Sequence, residues 1–183
     1  MENGCADTSL NEEGIIGRAG MAMAGLVPVP EIQFRKYADP ATEQLNNCGT
    51  LRWRTNNHFA APIVVRIPGG YRKIGDPWHS VTSEIAFAHQ PGWLLAFPSN
   101  AEDAVGLLRT ALRGNDPVIF FEHRAMLDAG WARRPYPGDE FMLPFGKSRN
   151  LAPWQRFNAS HLGGDGRALR IGPARSNRQR RID

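Results

Sequence analysis

The sequence predicts an α/β domain, a mainly parallel sheet flanked by helices, and three observations carry that prediction. Strand-like apolar runs at Ile63 to Ile67, Trp93 to Phe97 and Val118 to Phe121 alternate with helical stretches, the order that pairs strands in parallel through crossover helices. Val118 to Phe121 is apolar at every position, as a strand covered on both faces must be, so it is expected at the centre of the sheet. A chain of 183 residues, 42% hydrophobic and 22% charged, is long enough for one domain with a substantial core.

Taken in order, Ile15 to Gly25 is apolar, closely set with small residues and almost free of charge, which predicts a buried helix. Glu12 stands at the mouth of that helix, where the dipole favours a carboxylate. Val29 to Phe34 reads as a short strand; Pro28 and Pro30 suit its start but not its middle. Asp39-Pro40 reads as N-cap and first helical position of a helix running to about Arg54. Ile63 to Ile67, β-branched and bounded by Pro62 and Pro68, is a buried strand, and Gly69 to Pro77 is then a loop.

A short helix is expected from Ser83 to His89, followed by the Trp93 to Phe97 strand. Ser99-Asn100-Ala101-Glu102 is a capping box that opens a helix to Arg113, with Gly114 ending it. In a sheet of this kind ligands bind at the carboxyl ends of the strands, where Gln33 and the Gly69 to Pro77 loop are expected.

Composition excludes several classes of function. No apolar run is long enough to span a bilayer and no signal peptide is seen, so no membrane partner is expected and the default compartment is cytoplasmic. Cys5 and Cys48 form no C-x-x-C pair, which fits reduced thiols better than a disulfide framework or a zinc site. His58, His89, His123 and His161 show no metal-ligand spacing and read as structural, so no metal ligand is assigned.

The net charge of +4 is unevenly placed. Eight Arg and two Asp between Arg149 and Asp183 give that stretch a balance of +6, leaving −2 for residues 1–148. The basic tail lacks helical periodicity and the aromatic interleaving of a stacking platform, so it is expected to be disordered and no nucleic-acid partner is expected. Arg52-Trp53-Arg54 reads as an interface face, since Trp and Arg are enriched in such faces.

Asp7-Thr8-Ser9-Leu10-Asn11-Glu12-Glu13-Gly14 resembles the D-T-P-[IL]-[SC]-E-x-G segment of the beta subunits of 2-oxo acid dehydrogenase E1 components, of the pyruvate and branched-chain type. The resemblance continues in collinear order through Glu31-Ile32-Gln33-Phe34 and Tyr37, Ala61 to Arg66, Trp78-His79-Ser80, Phe97-Pro98-Ser99, Asn115 to Glu122 and Leu143 to Lys147. Each match is short, but the ordered series is specific. It implies a transketolase-like pyrimidine-binding domain over residues 1–147, with the thiamin-diphosphate-binding fold, followed by the tail at 148–183.

The resemblance implies oxidative decarboxylation of a small 2-oxo acid with acyl transfer to lipoamide. The cofactor would be thiamin diphosphate, gripped here by its pyrimidine half, with diphosphate and Mg²⁺ on a separate alpha subunit. The implied partners are that E1 alpha subunit, a second beta subunit and a lipoyl-bearing E2 acyltransferase. Glu12 would be catalytic and would also bind the cofactor: a carboxylate hydrogen-bonded to one ring nitrogen favours the tautomer in which the cofactor serves as its own base, most effectively in a water-poor pocket. Leu10, Gln33 and Tyr37 would contact the pyrimidine, Tyr37 offering an aromatic face. His79 would be the second catalytic residue, a proton donor or acceptor beside the thiazolium.

Without the family, plainer roles stand beside these. Glu12 could cap a helix, Leu10 serve as a hydrophobic staple, Gln33 lie at the surface, Tyr37 be an ordinary half-buried aromatic and His79 a solvated loop residue. Other readings are another transketolase-like thiamin enzyme and a catalytically inactive binding or assembly fragment. The sequence also departs from the family. Between Gly17 and Gly20 it has one residue fewer than usual, and in a continuous helix that deletion rotates every residue beyond it by about 100°. The family's preceding strand and helix and its carboxyl-terminal domain have no counterpart, and with diphosphate and Mg²⁺ implied on a separate alpha subunit, half an active site is expected.

Gly164-Asp165-Gly166 resembles the start of a Mg²⁺ and diphosphate motif, but the interval that motif needs before its Asn is longer than the stretch remaining to Asp183. Codons chosen for Trp154 to Gly166 and read one base later spell G-S-A-L-T-L-V-T-W-G-A-M-V, which resembles the family's own continuation. A frameshifted tail is the resulting hypothesis, and a gene whose neighbouring frame spells nothing of the kind would sink it.

Overall fold

The computed structural model describes residues 7–18, 20–71 and 77–147. In chain order the elements are α1 (Glu12–Gly17), α2 (Gly20–Met23), a 3-10 turn (Arg35–Ala38), α3 (Thr42–Arg54), β1 (Val64–Gly69), α4 (Pro77–Ser80), α5 (Glu84–Ala88), β2 (Leu94–Ala96), α6 (Ala101–Arg113), β3 (Val118–His123) and a second 3-10 turn (Gly130–Ala132). The three strands form one all-parallel sheet in the order β1-β3-β2. The expected α/β architecture and the central place of Val118 to Phe121 are both observed.

The core divides across the two faces of the sheet. On one face Ile63, Val65, Ile67, Ile119 and Phe121 pack with Ile16, Ile32, Ala41, Leu45 and Trp93. On the other, Val64, Val118 and Phe120 pack with Ala96, Ala111 and the α6 side chains Leu107 and Leu108. Each large side chain buried in this way stabilises the fold by about 1.5–3 kcal/mol of transfer free energy.

The Val29 to Phe34 strand is reduced to a single bridge, Glu31 with Arg66. Arg66 N donates to Pro30 O and Ile32 N to Arg66 O, each at 2.9 Å, while Val64 N donates to Pro28 O at 3.1 Å. The next rung of a parallel ladder requires an N–H at position 30, and proline has none. The rung on the other side of the bridge would need an N–H at position 68 of β1, also a proline, so two prolines reduce a fourth strand to an edge contact.

Three helix starts also differ from expectation. The Gly-rich stretch is not one helix but the short α1 and α2, with glycine at the end of one and the start of the other, where its backbone freedom favours interruption. Asp39 is not an N-cap: that position is Ala41, and the Asp39 carboxylate is held instead by Arg35 and by Lys36 Nζ, the latter at 2.6 Å. The cap of α6 is Asn100 rather than Ser99, its side chain accepting from Asp103 N at 3.0 Å; the helix ends at Arg113 before Gly114, as expected.

Gly69 belongs to β1 rather than to the following loop, most of which lies outside the described residues. The expectations for the tail at 148–183 lie outside them as well. No helix among the described residues is long and apolar enough to cross a membrane.

Candidate functional site

The parallel sheet brings the carboxyl ends of β1 and β3 together, where Arg124 N donates to Gly69 O at 2.9 Å. The chain leaving the Glu31 bridge runs past Gln33 into the 3-10 turn, which packs on β1 and on α4. These contacts gather four aromatic rings. Tyr37 lies edge to face on His79, centroids 5.4 Å apart, and within 5.7 Å of Phe34; Phe34 reaches His79 at 5.6 Å, and Trp78 reaches His79 at 5.0 Å and Tyr37 at 6.4 Å.

Two cations border the group. The Lys36 ammonium lies 5.1 Å from the Trp78 ring centroid, and the Arg124 guanidinium 5.1 Å from that of Phe34. Each edge-to-face contact adds about 0.5–1.5 kcal/mol beyond buried area. Phe34, Tyr37 and His79 are half-buried, and Trp78 is the exposed member of the group.

Of the sequence-predicted residues, Tyr37 and His79 are brought into contact. Gln33 is exposed and adjoins Phe34 in the chain. Glu12 is half-buried in the first turn of α1, which Asn11 caps by accepting from Gly14 N at 3.0 Å, and α1 packs on α3. Among the described residues the Glu12 carboxylate makes no hydrogen bond or ion pair. Leu10 is 86% exposed, which removes the hydrophobic-staple alternative. No described contact joins Glu12, Leu10 or Gln33 to the aromatic group.

Sequence reasoning named Phe34 and Trp78 only as parts of matching segments, not as site members. The available signal was Phe34-x-x-Tyr37, which sets two rings on one side of a tight turn, and the adjacency of Trp78 to His79. Within Arg52-Trp53-Arg54, Trp53 is 84% exposed, while Arg52 is engaged with Asp116 Oδ1 at 2.8 Å and Asn57 Oδ1 at 2.6 Å.

His123 ends the central strand. Burial lowers its pKa below the ordinary imidazole value; its ring stacks on Phe97 and its Nδ1 accepts from Ala125 N at 3.2 Å. It also lines a cavity of about 320 Å³ on the α6 face, walled chiefly by Val105, Leu108, Phe120, Met126 and Ala132. Among the described residues no group of three or more His, Cys, Asp or Glu is set to hold a metal ion.

Residues 2–129 match the family described as transketolase, pyrimidine binding domain. The chain is similar to a 2-oxoisovalerate dehydrogenase subunit beta of Bacillus subtilis, 41% identical over 144 residues, covering 78% of this chain and 43% of the relative. A protein of the same description from Pseudomonas aeruginosa is 37% identical over 158 residues, 85% of this chain and 42% of its own. A pyruvate dehydrogenase E1 component subunit beta of Acholeplasma laidlawii is 36% identical over 147 residues, covering 78% and 44%. The chain therefore spans less than half the length of the relatives it matches.

Proposed function

The chain belongs to the transketolase pyrimidine-binding domain family, and from that premise we propose that it is the pyrimidine-binding part of the beta subunit of a thiamin-diphosphate-dependent 2-oxo acid dehydrogenase E1 component. The observation that carries the reading is the contact between Tyr37 and His79 at the carboxyl edge of the sheet, the place where α/β sheets bind ligands. The similarity to 2-oxoisovalerate and pyruvate dehydrogenase beta subunits supports oxidative decarboxylation of a 2-oxo acid. The partners of the proposal are an alpha subunit holding diphosphate and Mg²⁺, a second beta subunit and a lipoyl-bearing acyltransferase, in a cytoplasmic compartment.

The donor set fits an aminopyrimidine. A half-buried carboxylate without a described partner, an exposed amide and an aromatic face are the groups that a flat ring with ring nitrogens and an exocyclic amine requires. When bound, thiamin diphosphate supplies the electron sink for decarboxylation. Glu12 holds a hydrogen bond at a ring nitrogen and so fixes the tautomer. Tyr37 and Phe34 exclude water and orient the ring, Gln33 contacts its edge and Leu10 covers it once the subunits assemble. His79 moves a proton at the reacting carbonyl.

The test is calorimetric titration of thiamin diphosphate and Mg²⁺ into the chain, alone and mixed with an E1 alpha subunit. Binding confined to the mixture is expected. A folded chain that binds in neither condition would contradict the reading.

A further inference from the structure

Arg66 holds three segments at once. Its Nε and Nη2 grip the two oxygens of Glu122 at 2.6 and 3.2 Å, and its Nη1 reaches Glu31 Oε2 at 2.9 Å. Its backbone makes both hydrogen bonds of the Glu31 bridge, to Pro30 O and from Ile32 N. The segment that carries Gln33 has no further rung to β1, because the next one in that direction would need an N–H at position 68 to reach Ile32 O, and Pro68 has none. The Glu31 ion pair is thus a side-chain tie that supplements a truncated ladder at the start of this segment, as the packing of Phe34 does at its end.

The fork also decides which strand end the tie refers to. Glu122 lies on central β3, opposite Pro68 in the register and next to His123. A side-on fork to that carboxylate orients the guanidinium, leaving Nη1 aimed at the edge segment; a lysine ammonium, a point charge, could not hold both directions. We propose that Arg66 is a positioning residue for the pyrimidine site, fixing the Glu31 to Phe34 segment, and with it Gln33, against the central strand. This rests on the reading of Gln33 as a pyrimidine contact.

Two measurements test it, the first needing no cofactor. In the chain alone, amide exchange at Ile32 should quicken about fivefold in Glu31→Gln and in Arg66→Lys, with Ile119 unchanged, and the double variant should be no faster than Arg66→Lys alone. In the mixture with an alpha subunit, Glu31→Gln should weaken thiamin diphosphate binding by about fivefold at an unaltered melting temperature, because the Glu31 side chain is exposed and its ion pair contributes little to global stability. Unchanged exchange at Ile32 would overturn the assignment. So would faster exchange with unchanged affinity, since the tie would then hold the segment without serving the site. Failure of the wild-type mixture to bind would instead overturn the cofactor reading, leaving the tie to be judged by exchange.

Discussion

Tyr37 and His79 stand edge to face, ring centroids 5.4 Å apart with planes at 90°, one on a 3-10 turn and the other on α4. Tyr37 also meets Phe34 and Trp78, so it is the ring through which the turn and α4 are joined. Tyr37→Ala is expected to cost about 1–3 kcal/mol in urea unfolding, and Tyr37→Phe no more than about 0.5 kcal/mol, because the phenol is not a buried hydrogen-bonding group. Equal losses in both variants would show that the hydroxyl, not the ring, is what matters.

Gly49 on α3 lies against the turn before β2. A Cβ there would fall 2.3 Å from Pro91 O and 2.7 Å from the Trp93 ring, and Trp93 Nε1 donates to Leu45 O at 2.9 Å across the same contact. Neither neighbour is a flexible side-chain end, so Gly49→Ala must push α3 away from the sheet. A loss of about 2–3 kcal/mol is expected from thermal or denaturant melting. A variant as stable as the wild type would mean that the close approach is not maintained in solution.

Burial lowers the pKa of His123, so the folded protein binds its proton less readily than the unfolded chain does. The unfolded state then carries more protons as pH falls below about 6.5, and stability should decline through that value and level off only below the folded pKa. Above about 6.5 the contribution is fully present. Urea titrations across this range should show the slope in the wild type and a flatter profile in His123→Asn.

Asn100 caps α6 by accepting from Asp103 N. Asn100→Ala should cost about 1 kcal/mol, whereas Ser99→Ala should be close to neutral. The reverse order in a melting experiment would restore the capping box read from the sequence.

Much of this fold was legible in the sequence because its central strands are apolar throughout. Val118 to Phe121 needs no partner to announce that both its faces are covered. The Asp39 cap was misread because capping competes with pairing: Arg35 and Lys36 claim the carboxylate, and a side chain held upstream cannot serve the helix. The Val29 to Phe34 strand failed at Pro30 and at Pro68 of β1, both visible in the sequence, although which rungs would be lost depends on the register between them. At the site, Tyr37 and His79 were named through the family's motifs, while Phe34 and Trp78 emerged only from tertiary packing. A sequence does not show which rings a turn will bring together.

We propose that the Glu12 carboxylate sets the tautomer of a bound aminopyrimidine. The direct measurement is hydrogen–deuterium exchange at C2 of thiamin diphosphate, monitored by NMR in the chain assembled with an alpha subunit. The wild type should accelerate exchange strongly over free cofactor, and Glu12→Gln should lose a factor of about 10² or more of that rate while still binding. Equal exchange in both, with cofactor bound in both, would contradict the account and leave Glu12 as an ordinary residue in the first turn of a helix.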